Sequence, residues 1–429
     1  MSSGIWLSPA ELADLARGAA QPAVLGRLAA TERSRNVLLI REVVRRCAAL
    51  SHPAAQRVSA SYRLLARLQR THPAQVATAL RYPLLGTWAA DTLTALSAGD
   101  DRARPERLSA AAATALFHAA RTSAPPPAGS DAPVLPKVPF SAEAGAVALP
   151  GLGRLVVAVG EGEEVVAAPP YLLVGGSRVR VPADGRWEGV RDVGILLDDV
   201  DAWRFPGPVA PLGRLSDAAA AGWGSVIAAG KALLAARHPG AARTFAAMTS
   251  VAVPLSAPED GTRSATSRTA YGSIALSRPP SPTAAAVTLA HEVRHAVLAA
   301  LMDLFDLVRP NSGELFYAPW RDDPRPAAAL LQGAYAHMGV AGFWRVERHA
   351  AQDPEVGHAE FARWRDAAYQ AVHALLDSGA LTAIGRHFVD GMLDTLTAWR
   401  ADRVPSAAHE LAERAAQSHR QRWVLRNRR

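Results

Sequence analysis

From Ser8 to about Arg121 apolar residues return every three or four positions, as in Leu38, Leu39, Ile40, Val43 and Val44, which predicts an unbroken run of helices. Ser8 before Pro9-Ala10-Glu11-Leu12 supplies cap chemistry, and His52-Pro53, His72-Pro73 and Tyr82-Pro83 divide the run into five or six helices packed as a bundle. Trp88 is expected to anchor them. Residues 1–123 thus form an N-terminal helical domain, and Pro125-Pro126-Pro127-Ala128-Gly129-Ser130 marks a linker at 124–132. Past it the period shortens. Leu155-Val156-Val157-Ala158-Val159, Val165-Val166-Ala167-Ala168, Tyr171-Leu172-Leu173-Val174 and Arg178-Val179-Arg180-Val181 predict short strands in a β-rich segment, 133–210. It ends on Val193-Gly194-Ile195-Leu196-Leu197-Asp198-Asp199-Val200-Asp201, a buried strand running into an acidic cluster suited to capping a turn or pairing with arginines such as Arg204. Residues 211–429 mix two strands, near 250–255 and 269–277, with long helices. The fold class expected is a mostly helical α+β protein.

Composition narrows the class. Apolar residues make up 49% of the 429 and charged ones 20%, so a sizeable core is expected. The single cysteine, Cys47, excludes an intrachain disulfide framework and a cysteine-rich zinc module, and fits a reducing cytoplasm. No signal peptide and no apolar run long enough to cross a bilayer stand out, so cytoplasmic placement without a membrane is expected. The net charge of +8 is concentrated in the tail, His419-Arg420-Gln421-Arg422-Trp423-Val424-Leu425-Arg426-Asn427-Arg428-Arg429. A basic tail with an aromatic suits nucleic acid or an acidic peptide, and the lack of any nucleic-acid-binding motif weighs against the former.

The chemistry lies in Thr288-Leu289-Ala290-His291-Glu292-Val293-Arg294-His295-Ala296-Val297-Leu298. On a helix, His291 and His295 stand one turn apart and can grip one metal ion, with Glu292 beside them as a catalytic or orienting carboxylate. A preceding strand gives the arrangement a zincin-like order. Two histidines hold a divalent ion poorly, so a third ligand is required: Glu314, Gln332 or His337. A carboxylate third ligand would suit either catalytic zinc or the two-histidine, one-carboxylate face of an iron oxygenase, and spacing does not choose between them. The proline-rich loop Pro319-Trp320-Arg321-Asp322-Asp323-Pro324-Arg325-Pro326 carries two guanidinium groups, Arg321 and Arg325, able to hold a carboxylate co-substrate or to lock the loop on its own acids.

The HExxH stretch, Tyr317-Ala318-Pro319-Trp320-Arg321-Asp322-Asp323-Pro324-Arg325-Pro326 and Leu330-Leu331-Gln332-Gly333-Ala334-Tyr335-Ala336 together resemble the actinobacterial HExxH-motif peptide-modification family. Leu197-Asp198-Asp199-Val200-Asp201-Ala202-Trp203-Arg204, Ser264-Ala265-Thr266-Ser267 and the tail from His419 to Asn427 add to the likeness. The resemblance implies an iron(II)/2-oxoglutarate-dependent β-hydroxylase of a ribosomally made precursor peptide, working beside a radical SAM maturase. It places iron on His291 and His295 and the 2-oxoglutarate carboxylate on Arg321 or Arg325. The chain departs from the family pattern at Gln332, where a histidine usually stands as a further ligand. Either Glu314 or His337 then substitutes, or the site holds iron weakly or is inactive. The alternatives are a zincin-type zinc metallopeptidase, with Glu292 as general base, and a non-catalytic peptide-binding member.

Overall fold

A computed structural model describes residues 7–122, 136–143, 145–182, 184–206, 211–259, 261–310, 313–351 and 353–427. The linker expected at Pro125–Ser130 lies outside them. Thirteen helices and fourteen strands are described, 58% of the described residues being helical and 13% strand, so the protein is a mostly helical α+β chain.

In chain order the elements begin with α1 (Pro9–Arg17), α2 (Pro22–Ala49), α3 (Ala55–Thr71), α4 (Pro73–Leu80), α5 (Leu84–Ala98) and α6 (Arg107–Thr122). The strands β1 (Val138–Ser141), β2 (Ala146–Leu149), β3 (Gly153–Val156), β4 (Glu164–Ala168), β5 (Tyr171–Val174), β6 (Ser177–Arg180), β7 (Trp187–Gly189), β8 (Arg191–Asp192) and β9 (Leu196–Leu197) follow. Then come α7 (Asp217–Arg237), α8 (Pro239–Met248), β10 (Val251–Leu255), β11 (Ser264–Ala265), β12 (Ser273–Ser277) and α9 (Pro282–Leu304). The chain closes with β13 (Leu315–Phe316), β14 (Arg325–Pro326), α10 (Ala327–Glu347), α11 (Pro354–Asp377), α12 (Ala383–Arg400) and α13 (Ser406–Asn427).

These elements gather into two units that cut across the three consecutive segments expected from sequence. One comprises 32–224 and 250–278, the other 1–31, 225–249 and 279–429. The first unit puts α3 to α6 and the β-rich segment around one hydrophobic core rather than two. Its hub is α6, whose run Ala110-Ala111-Ala112-Ala113 is wholly buried: small side chains let α3, α4 and β1 pack close on several sides of one helix. Trp88 is fully buried, as expected of an anchor, and its indole N–H donates to the Arg104 carbonyl at 2.7 Å. Three sheets complete this unit. They are an antiparallel sheet ordered β1-β4-β5-β6, a second ordered β2-β3-β7, and a mixed sheet β11-β12-β10-β9-β8 in which β9, β10 and β12 run parallel. Strand β12, which precedes the HExxH helix, lies between β10 and β11 in its sheet, β11 pairing with Ala275 and Leu276.

The acidic cluster after β9 is a structural knot. Arg107 binds both oxygens of Asp201 at 2.6 Å, and Arg191 and Arg214 reach Asp199 at 2.6 and 2.5 Å. Asp198 accepts the backbone N–H groups of Val200 and Asp201, both at 3.0 Å, and a short bond from the Tyr82 hydroxyl. Arg204 donates to the backbone carbonyls of Asp201 and Leu212, not to a carboxylate.

The second unit is built from α1, α8 to α13 and the short β13-β14 hairpin, with α10 packed against α9 and α11. Buried Glu347 on α10 accepts from Arg237 at 2.5 Å and lies 2.7 Å from His238 Nε2, while the His238 ring stacks on Phe343. The expectation that no apolar run could cross a bilayer is corrected: α7 and α9 are both long and apolar enough by length and composition. Alanine and leucine give α9 that hydropathy, and 61% of its most apolar window is buried in the protein, as in a core helix.

Candidate functional site

Helix α9 starts where the sequence announces it. The Ser281 hydroxyl accepts the Ala284 N–H at 3.1 Å and Pro282 takes the first turn, where its missing N–H costs nothing. Leu289, Ala290, Val293, Ala296 and Val297 bury the helix, leaving His291 and His295 on a partly open face. Their Nε2 atoms converge to 3.2 Å, with the rings edge to face at 4.8 Å. With metal–nitrogen bonds of about 2.1 Å, two neighbouring ligands of one ion stand roughly 3.0 to 3.4 Å apart. The pair therefore has the spacing of two donors to a single ion.

Gln332, from α10, orients the pair. Its carbonyl oxygen lies 3.1 Å from His295 Nδ1, and its amide nitrogen donates toward Met302 sulfur at 3.5 Å. An acceptor at Nδ1 puts the proton there and leaves the Nε2 lone pair facing His291. Buried Glu292 lies on the other side, its Oε1 3.9 Å from His291 Nε2.

A third imidazole closes the site. His337 stands edge to face with His291 at 4.9 Å between centroids, and its own ring is layered between Trp320 at 4.4 Å and Trp364 at 4.6 Å. Its Nδ1 donates to the Gly333 carbonyl at 2.8 Å, leaving Nε2 unprotonated. Burial, opposed by that carbonyl, holds His337 down to about 3. Burial also carries His291 well below the usual histidine range, with the imidazoles of His295 and His337 pushing the same way. Both rings are neutral at physiological pH, the form in which imidazole binds metal.

Of the other residues singled out by sequence, Glu314 is exposed, just ahead of β13. Among the described residues no group of three His, Cys, Asp or Glu side chains is arranged to share an ion, so neither Glu314 nor His337 joins the histidine pair as a third ligand in this geometry. Arg321 and Arg325 converge on one acid, Asp323, at 2.9 and 2.8 Å. The Arg325 bond, with that of Arg321, keeps the Asp323 carboxyl below the usual range. Both guanidinium groups thus lock their own loop. The pair fits as a two-donor metal platform; the remaining candidates are engaged elsewhere or out of reach.

Trp320, Trp364 and Arg294 have roles here that no motif in the sequence indicates. The motif's own Arg294 faces away from the pair, donating to the Tyr335 hydroxyl at 3.1 Å and the Gly18 carbonyl at 3.4 Å. Gly18 ends α1 at φ 76°, and a Cβ there would collide with the Arg294 guanidinium at 2.0 Å. Trp320 lies so close over Gly333 that a Cβ would come within 2.4 Å of its indole. Helix α13 pins the same loop: the Tyr317 hydroxyl bonds His419 Nδ1 at 2.8 Å, Trp423 packs edge-on against Tyr317, Asn427 donates to the Asp322 carbonyl at 2.8 Å, and Arg426 pairs with the Asp322 carboxylate. The Gly333 side of the helix and the run of aromatics near 317–320 are the only traces of this packing in the sequence.

Comparison of the sequence with family models and with curated proteins returned no match, so the two converging imidazoles and their surroundings are what speak for this chain's chemistry.

Proposed function

We propose that the chain is an iron(II)/2-oxoglutarate-dependent β-hydroxylase of a ribosomally made peptide, with His291 and His295 holding the ion. The observation that carries the reading is the 3.2 Å approach of two Nε2 atoms, one with its tautomer set by Gln332. When bound, iron with 2-oxoglutarate supplies the oxidising chemistry needed to hydroxylate an unactivated carbon. The chain's own share is positioning and proton handling. Gln332 keeps the His295 lone pair directed at the pair's open side, Trp320, His337 and Trp364 wall off one flank, and Glu292 can hold or take a proton next to His291. A precursor peptide, with a radical SAM maturase acting on the same peptide, is the corresponding partner.

A second reading, a non-catalytic peptide-binding member of the same family, is favoured by the engagement of Arg321 and Arg325 with Asp323 and of Gln332 with His295. The zincin-type reading draws support from the burial of Glu292 beside His291 but receives none from β12, which is flanked on both sides in its sheet.

Anaerobic reconstitution with iron(II) decides among them. The hydroxylase reading expects stoichiometric iron, the visible charge-transfer band on adding 2-oxoglutarate, and succinate formation that is lost in His291→Ala. Tightly bound zinc with cleaved peptide would establish the peptidase. Peptide binding that needs neither histidine nor metal would establish the non-catalytic member.

A further inference from the structure

A cleft of about 540 Å³ runs between α11 and α13 and ends at Tyr317 and Pro319. The next residue, Trp320, is the one stacked on His337. We infer that this cleft seats an extended, acidic stretch of the substrate peptide, an acidic side chain being received by Arg420 and Arg363. The inference rests on the peptide-substrate reading above and adds where the peptide lies and what chemistry it presents.

Three features point to that occupant. The first is charge. Arg420 stacks on Tyr317 with its guanidinium carbon 4.2 Å from the ring centroid and 5.4 Å from that of Trp423, and among the described residues no carboxylate lies within ion-pair distance of it. Arg363, on the opposite wall, lies over Trp364 and reaches Glu360 only at 3.8 Å. Of the acids that line the cleft, Asp366 is held by two guanidinium nitrogens of Arg365 at 3.0 Å, and Glu413, which is exposed, sits 3.3 Å from His409. A guanidinium stacked on an aromatic keeps its N–H edges free for a carboxylate.

The second feature is the lining. Gln370 on α11 and Gln417 and Gln421 on α13 face the same cleft, the last two one turn apart. A primary amide both donates and accepts, which matches the alternating N–H and C=O groups of an extended backbone. Between them the floor is alanine, at Ala367, Ala412 and Ala416, so a main chain can approach closely.

The third is length and direction. His409 to Gln421 spans roughly 18 Å at about 1.5 Å per helical residue. That is the length of about five extended residues. A peptide so placed would emerge at Tyr317–Pro319, beside the loop that carries Trp320 to the histidine pair.

The test uses the full-length protein without added metal, titrated against a fluorescein-labelled heptapeptide of alanine and serine carrying two glutamates, and against counterparts carrying two glutamines or two lysines. The glutamate peptide is expected to bind about tenfold or more tightly than the other two by fluorescence anisotropy. Arg420→Glu lies on an exposed helix face and should fold normally; it is expected to abolish that preference and favour the lysine peptide. Ala416→Trp, which fills the floor, should weaken all three. Equal binding of the three peptides, or an Arg420→Glu variant that retains the glutamate preference, would overturn the inference. His291→Ala should leave these affinities unchanged. A chain that discriminates the peptides yet never consumes 2-oxoglutarate would sink the hydroxylase reading alone, and one that oxidises peptide without discriminating would sink the cleft alone.

Discussion

Gln332 and Asp198 both accept hydrogen bonds beside ionisable groups, and each makes a measurable demand. Gln332 accepts at His295 Nδ1, so replacing it by leucine removes the acceptor while keeping the bulk. Metal affinity of Gln332→Leu is predicted to fall about 10- to 100-fold, the usual cost of losing an orienting partner behind a metal-bound imidazole. Chelator competition measures this, and an unchanged affinity would mean that the ring is oriented by something else. Asp198 is fully buried, and burial, with the nearby Asp201 charge, pushes its carboxyl up to about 7 against the backbone N–H bonds that favour the ionised form. In the unfolded chain the value is about 3.9. Between those two values the folded state holds more protons than the unfolded one, so this contribution is complete below about pH 4 and is lost as pH rises through about 7. Asp198→Asn should flatten that loss, which is on the order of a few kcal/mol. Urea unfolding of wild type and variant at mildly acidic and mildly alkaline pH is the check, and parallel pH slopes would refute it. The histidine pair was legible at this scale, because a four-residue spacing on a helix needs no tertiary information. The tautomer was not, because it depends on a side chain 37 positions away.

At the scale of elements, the site is the contact of α9 with α10 and of the 317–326 loop with both α10 and α13. Gly333 admits the Trp320 indole, so Gly333→Ala, harmless by helix propensity, should push the ring off His337. Overpacking of this kind typically costs about 1–3 kcal/mol. A stabilised variant with unchanged tryptophan fluorescence would show that the ring is not held there. The tail helix acts on the same loop from the other side. Trp423→Ala removes the edge contact to Tyr317, and trypsin is predicted to cut after Arg321 several-fold faster in that variant, Arg325 being shielded by the proline that follows it. Equal cleavage rates would separate the tail from the loop. The helices themselves were readable, since prolines and the Ser8 and Ser281 caps sit where the chain turns into helix. The docking of the tail was not: its arginines read as a free basic patch, whereas Arg426 is spent on Asp322.

Across the whole molecule, the two units divide the consequences of metal binding. Only the unit containing α9 carries the histidine pair. An ion at about 100 times its dissociation constant adds roughly 2.7 kcal/mol to the state that binds it. Hydrogen exchange is therefore predicted to slow in α9 and α10 on addition of iron(II) under anaerobic conditions, with α6 unaffected. Equal slowing in α6 would mean that the ion stabilises the chain by another route.

The sequence by itself determined the mostly helical α+β class, the helix starts, the strand-rich middle and the two histidines, because each follows from local periodicity and capping chemistry. Tertiary structure decided the grouping of elements, since hydrophobic burial put α3 to α6 and the middle strands around one core and returned α1 to the C-terminal helices. It also decided which charged groups remain available. Asp198, Asp199 and Asp201 are consumed by a knot of hydrogen bonds and arginines, and Arg321 and Arg325 by Asp323, while Arg420 is left facing a cleft. Arg321 and Arg325 pair with an acid two positions away, as the loop's own sequence allows, whereas Arg107 and Asp201 stand 94 positions apart, and no spacing along the sequence encodes a pairing of that kind.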